Sequence, residues 1–376
     1  MPVALPSSDP DLTPPSAEEV RWLCRGFVSA SAPPRGLTPT QRLLMAALVP
    51  AMTGFDATFD GAPIEPDEFA SGLARRTLQF RSRIVQKMVL LALILRPLPA
   101  LVAERVAAFA AELDVREEML AVAGELAKGN YALAAVDFDR NGYIAGWRPE
   151  EAAELHTSGT LSSAWELAVD DPALAQRWAD LESLPQGTLG RLVTGLYRAR
   201  GFVYPGRPGS APPLLAQHDW VHVLADYGTT VESELEVFAF IARANDDPHA
   251  FSLLAMIISL FETGYLRNGA GLFEAAPGHL SERGMAARVA DALRRGALCP
   301  GSTDFLRIDW FTIADLPLQA ARQHFEIPDK SAKARRAGSV SPWEPGGITP
   351  YQVEAGMRMA ASLGIDYDDH DTAHVG

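Results

Sequence analysis

The chain has 376 residues, 48% hydrophobic and 21% charged, enough to bury more than one core of ordinary domain size. Its 33 basic and 47 acidic residues leave a formal charge of −14, which argues against nucleic acid as a partner and against a polybasic membrane anchor. Two cysteines, Cys24 and Cys299, fit a reducing compartment and argue against a disulfide framework or a thiolate metal site.

Residues 1–37 read as a flexible N-terminal arm, from a Pro/Ser/Asp-rich stretch at 1–15 and a Pro/Gly stretch at 31–36. No basic segment followed by an apolar run marks a secretory signal. Helical periodicity then recurs at 40–52, 68–80, 83–95, 100–112 and 116–127, with Pro97 and Pro99 closing one helix and opening the next. β-branched alternation is nearly absent, so residues 38–150 are expected to form a helical bundle. The polar, glycine-containing stretch 137–149 marks a linker. A second bundle, 151–329, is predicted from helices at 152–169, 172–181, 189–200, 219–227, 231–244, 250–265, 282–296 and 316–325, ended by Pro328. Residues 330–376 read as a C-terminal tail, Pro/Gly-rich to about 346, with a short helix at 350–363. The expected fold class is all-α, two helical-bundle domains joined by a short polar linker. The longest apolar runs, 89–95 and 251–261, fall short of the ~20 residues that span a bilayer. A soluble, cytoplasmic protein is expected, with at most peripheral contact at the inner face of the membrane.

The segment Gln217-His218-Asp219-Trp220-Val221-His222 carries the chemistry. Its two imidazoles at i and i+4 share one helical face, and Asp219 lies about 100° round from His218. Two neutral imidazoles with hard oxygen donors suit a divalent metal, zinc first, with magnesium, manganese or iron as alternatives. One helical turn leaves such a coordination sphere incomplete. Gly228 is placed to stop the helix in a left-handed cap, and Thr229 with Glu232 reads as a capping box, so the chain should reverse. Glu234 would lie about 18 Å from His222 along an unbroken helix, but beside it in a hairpin. Asp226 and Glu236 are rival ligands, and Asp226 is an alternative hydrogen-bonding partner for the ligands. A histidine pair at i, i+4 on its own is more often a cap or a core hydrogen bond than a metal site.

His218-Asp219-x-x-His222 followed by eleven residues and Glu234 resembles the signature of the coenzyme Q biosynthesis protein four family. The flanks agree. The segment 183–191, Ser-Leu-Pro-Gln-Gly-Thr-Leu-Gly-Arg, is similar to that family's upstream stretch, and Asp309-Trp310-Phe311 with Pro317 through Ile327-Pro328 resembles its closing helix. The likeness covers roughly residues 155–328. It implies an all-helical domain in which His218, Asp219, His222 and Glu234 ligate a divalent metal, with His218 and Asp219 at the reacting centre and an isoprenoid-like lipid alongside. It further implies removal of the C1 carboxyl of a prenylated benzoate with replacement by hydroxyl, or a role in organising other quinone-biosynthesis proteins. The run 251–261 would then line a prenyl groove, although its all-round apolarity also fits plain core. Residues 38–150, with Asp56, Asp60, Glu65 and Glu68, more loosely resemble the tellurite-resistance type B helical domain, which implies an accessory or stress-linked role.

Weaker signals complete the reading. Residues 137–142 copy the first half of a calcium loop, but Arg148 stands where a bidentate glutamate is needed, so a turn is expected. Asp56, Asp60, Glu65 and Glu68 either hold a metal or mark a helix entry at Pro66. Arg191, behind a glycine-rich turn, is a candidate for a cofactor's carboxylate or phosphate, with structural glycine packing the alternative. His156, His249, His279 and His324 lack ligand-spaced partners and read as surface or cap residues. Three functions stay open: a metal-dependent decarboxylase of a prenylated quinone precursor, a non-catalytic lipid-binding scaffold, and a metal phosphohydrolase drawing on His156 and Asp304. A homodimer is compatible with each.

Overall fold

The computed structural model describes residues 13–116, 170–211, 213, 216–244, 278–299 and 303–367, together with positions 120, 124, 128, 254 and 258. Every regular element among them is helical, and extended pairing is limited to an isolated antiparallel bridge between Thr188 and Pro317. The fold is all-α. The expected linker 137–149 with its calcium-loop-like segment, the helix 152–169, His156 and His249 lie outside the described residues. So do most of the helices expected at 116–127 and 250–265.

Helix α1 (Ala17–Ser31) corrects the reading of residues 1–37 as an arm. Ser16 caps it by accepting from the Glu19 amide, and Val20, Leu23, Cys24, Phe27 and Ala30 recur at helical spacing and are buried. α2 (Pro39–Thr53) starts with a capping box between Thr38 and Gln41. The predicted 68–80 helix is two elements: α3 (Pro66–Gly72) stops, and α4 (Leu78–Leu93) restarts where Thr77 accepts from the Phe80 amide. Glu65 and Pro66 serve as helix entry, and Asp56, Asp60, Glu65 and Glu68 form no donor cluster among the described residues. α5 (Ala100–Glu112) follows the prolines as expected.

In the second half, α6 (Pro172–Asp180), α7 (Leu189–Arg200), α8 (Gln217–Ala225), α9 (Val231–Ala244), α10 (Met285–Leu298) and α11 (Leu318–His324) match predicted helices. α12 (Ala332–Arg336) and α13 (Pro350–Leu363) follow. α10 packs along α9 and also against α2, so apolar side chains from both halves join one buried cluster. Residues 330–367 are not a loose tail. Lys330 is buried and donates to the Val340 carbonyl at 2.7 Å, while Gln352 is fully buried against the α8–α9 corner. No described helix is long and apolar enough to cross a membrane.

Candidate metal centre

The geometry rests on how α8 ends. Its last carbonyls have no intrahelical donors, and two arginines supply them. Arg322 donates to Leu224 at 2.8 Å and to Val223 at 3.3 Å, and Arg295 donates to Ala225 at 2.8 Å. The left-handed residue is Asp226 (φ 68°, ψ 43°), not Gly228 as predicted. Asp tolerates this conformation through short-range polar contacts, and Arg322, Lys330 and Arg335 surround its carboxylate at 3.6, 3.5 and 4.0 Å. Asp226 is therefore committed to the corner and is not part of the donor set.

Gly228 is needed for proximity. A Cβ there would sit 2.7 Å from Gly347 Cα and 2.8 Å from its carbonyl oxygen. Thr229 does not form the predicted capping box. Its hydroxyl accepts from Arg200 Nε at 2.6 Å and donates to Gln352 Oε1 at 2.8 Å, and Thr230 caps α9 by accepting from the Ser233 amide at 3.3 Å. Glu232, freed from capping, pairs with His279. The chain nonetheless reverses, pinned by Gly228 N–H to Val340 O (3.1 Å) and Thr229 N–H to Gly347 O (2.8 Å).

The reversal brings Glu234 beside the histidine turn. Its Oε1 lies 3.2 Å from His222 Nε2, and its Oε2 lies 3.5 Å from His218 Nε2. Asp219 Oδ1 is also 3.5 Å from His218 Nε2. His218, Asp219 and His222 each offer a donor atom within 4.8 Å of the others. All four residues are buried, from 0% exposed for His222 to 8% for His218. Glu236, the other rival, points elsewhere and pairs with Arg288 at 2.6 Å.

The tautomer of His222 follows from its neighbours. Nδ1 faces only backbone carbonyls, Gly228 at 2.7 Å and Tyr227 at 3.3 Å, so Nδ1 carries the proton and donates. The Nε2 lone pair then points into the cluster, where it is buried and makes no hydrogen bond despite the nearby Glu234 oxygen. A buried lone pair facing carboxylates is unfavourable unless a proton or a cation lies between them. His218, Asp219 and His222 therefore form a group that could hold a divalent metal, with a Glu234 oxygen 3.2 Å from His222 Nε2.

Electrostatics and packing support this arrangement. Burial pushes the Asp219 carboxyl above its ordinary value, against the pull of His218, His222 and Tyr197. Tyr197 on α7 donates to Asp219 Oδ2 at 2.6 Å and so fixes the carboxylate's orientation. Burial also opposes ionisation of Glu234, but His222 and His218, where they are protonated, outweigh it and hold the carboxyl at about 2. Behind the site, Trp220 stacks on Trp310 (5.7 Å, 3° between planes), and Trp178 packs against Tyr197 at 4.9 Å. Phe238 of α9 lies 5.1 Å from the His218 ring.

Other predicted residues go elsewhere. Arg191 lines a separate cavity of about 230 Å³ with Arg198 and the end of α13. The glycine-rich turn before it serves packing, because a Cβ on Gly190 would sit 2.9 Å from Ala314 Cβ and from Leu184 Cδ1. Asp304, the phosphohydrolase reading's distal aspartate, accepts from the Leu306 amide, pairs with Arg307 at 3.4 Å and belongs to no donor group among the described residues. His324 packs edge-on against Phe325. Leu254 and Ile258, the described positions of the apolar run, belong to the buried core. His279 is the residue whose partners were missed. Its Nδ1 lies 2.5 Å from Glu232 Oε1, and with Glu282 it forms a second, more exposed donor group. No spacing rule finds it, since 47 residues separate the pair.

No family model and no curated protein matches the chain. Among solved structures, the chain is similar to a protein from Nostoc punctiforme, provisionally named a ubiquinone biosynthesis protein, at 22% identity and a TM-score of 0.28. The similarity covers 65% of this chain and 96% of that one.

Proposed function

We propose that this chain binds one divalent metal through His218, Asp219, His222 and Glu234, and that the metal centre acts on a prenylated aromatic carboxylate or a related isoprenoid lipid. The observation carrying the metal assignment is the His222 Nε2 lone pair, buried and without a hydrogen bond 3.2 Å from Glu234. The substrate class rests on the likeness of the His-Asp-x-x-His and distal Glu pattern to the quinone-biosynthesis family. A bound divalent ion would supply Lewis-acid polarisation of a carboxylate, or activation of water or dioxygen. The protein's part is to exclude solvent and to hold the ligands. His222 is locked by its Nδ1–H bond to Gly228, and Asp219 by Tyr197.

A scaffold with a structural metal is the second reading, favoured by the near-complete burial of all four donors, since structural sites are closed while catalytic ones keep an open position. Metal analysis of the purified protein, followed by lipid extraction and mass spectrometry, tests the proposal. One equivalent of divalent metal, lost in His222→Ala, with a co-purifying isoprenoid is the expected result. Absence of metal from a folded protein overturns it. Enzyme and scaffold separate by complementation of a quinone-precursor decarboxylation defect. A folded His218→Ala that fails to complement supports catalysis, and one that complements supports the scaffold.

A further inference from the structure

The corner between α8 and α9 is crossed by a segment, residues 338–349, that carries none of the four proposed ligands. Both of its ends are anchored. On one side α12 is fixed to α10, where the Ser331 amide donates to the Asp291 carboxylate at 3.2 Å and a Cβ on Gly284 would sit 2.6 Å from the Ala337 carbonyl oxygen. On the other, α13 packs so closely on α7 that a Cβ on Gly356 would sit 2.3 Å from the Ala199 carbonyl oxygen, to which Tyr367 donates at 3.0 Å. Between the anchors the hold is mainly polar. The Val340 and Gly347 carbonyls accept from the Gly228 and Thr229 amides at 3.1 and 2.8 Å, and Arg200 donates to the Pro342 carbonyl at 2.8 Å. Among these described residues, half-buried Trp343 is the apolar side chain packed against the buried cluster. A segment held by hydrogen bonds, with little buried apolar surface, opens at lower free energy than the helices beneath it.

One peptide plane connects this segment to the ligands. The peptide between Gly228 and Thr229 donates its N–H to Gly347 at 2.8 Å, and its C=O accepts the His222 Nδ1–H at 2.7 Å. Because the unit is planar, fixing its N–H fixes its carbonyl. With the segment docked, the imidazole is held with Nε2 toward Glu234. With it lifted, the plane can rotate, and His222 loses the acceptor that sets its tautomer and orientation. All four donors are buried, so an ion reaches them only through a local opening. We propose that residues 338–349 are a releasable strap whose docking is linked to metal occupancy: lifting it admits or releases the ion, and a bound ion holds it down. This rests on the metal centre proposed above. The linkage is reciprocal, so the factor by which a metal favours docking is the factor by which docking raises metal affinity.

The test is hydrogen–deuterium exchange, read by mass spectrometry on the full chain in chelator-treated and zinc-loaded forms, with zinc affinity measured by chelator competition. The Gly228 and Thr229 amides report undocking directly, and the Gly347 amide, held by the Glu344 carbonyl at 2.9 Å, reports order within the strap. Zinc is expected to slow exchange across 338–349 by about tenfold or more, although no ligand lies there. Trp343→Ala removes the strap's apolar anchor and its contact with the Arg200 guanidinium at 5.6 Å. It should speed exchange of strap and corner in the metal-free protein and weaken zinc by about tenfold, with Trp343→Phe restoring most of both. Exchange in α1 to α5, unchanged throughout, separates strap release from a general loss of stability. Zinc bound with strap exchange unaltered overturns the inference and leaves the metal centre standing, as does a strap loosened by Trp343→Ala with zinc affinity unaltered. A folded wild type that binds no zinc overturns both. The wild-type comparison needs no variant, so it decides even where Trp343→Ala fails to fold.

Discussion

Thr229→Val removes one hydroxyl and little volume from the corner on which the proposed metal centre depends. That hydroxyl accepts from Arg200 Nε at 2.6 Å and donates to Gln352 Oε1 at 2.8 Å. Thr229 is 1% exposed, and Arg200 and Gln352 are 0% exposed, so water cannot take its place. A hydrogen bond from a charged donor is worth about 1.5–3 kcal/mol, and a buried group left unmet costs a similar amount, the two figures overlapping. The expected loss is about 3 kcal/mol, which for a chain of this length lowers Tm by roughly 4 °C. The assay is thermal unfolding followed by circular dichroism, with metal content measured on the same sample. Thr312→Val is the control, since its hydroxyl bonds the Asp309 carbonyl at an exposed site and should cost less than about 0.5 kcal/mol. If the two variants unfold together, residues 340–352 do not brace the corner and the account of the hairpin fails.

Tyr197→Phe keeps the ring against Trp178 but frees Asp219, and metal affinity, measured by competition with a chromophoric chelator, should fall about 10–100-fold, with a fall in Tm of a few degrees for the lost buried bond to a carboxylate. Gly228→Ala places a methyl against the backbone of Gly347 and should cost about 1–3 kcal/mol, read by urea denaturation together with metal loss. In the metal-free protein, Glu234 is held at about 2 against an ordinary 4.5. A depressed carboxyl stabilises the fold above its unfolded value, so that contribution is complete above pH 4.5 and lost as pH falls toward 2. Glu234→Gln should flatten this acid limb in Tm measured against pH, and an unchanged limb would show that Glu234 does not face the imidazoles.

Most helices were legible because amphipathic period and capping residues are local properties. α5, α7, α9 and α13 fall where the period and the prolines place them. α1 was missed because the Pro-rich stretches on either side drew the reading toward an arm, although Ser16 and Glu19 followed by Val20, Leu23 and Phe27 carry a helix-start signal. That Glu234 lies beside His218 and His222 was readable from the i, i+4 pair and an expected reversal. The agents of that reversal were not. Gly228 and Thr229 were given capping roles, yet one makes room for Gly347 and the other bonds Arg200 and Gln352, partners 29 and 123 residues away. Tyr197 and the arginines that satisfy the end of α8 escaped for the same reason, since contacts across long sequence separations leave no local pattern.

X-ray absorption at the zinc edge of the zinc-loaded protein addresses the four-residue centre directly. Two imidazole nitrogens with carboxylate oxygens at about 2.0–2.2 Å, and loss of oxygen scattering or of the metal in Glu234→Gln, are the predicted outcome. Sulfur scattering near 2.3 Å, a shell without imidazole, or a Glu234→Gln spectrum identical to wild type would contradict it.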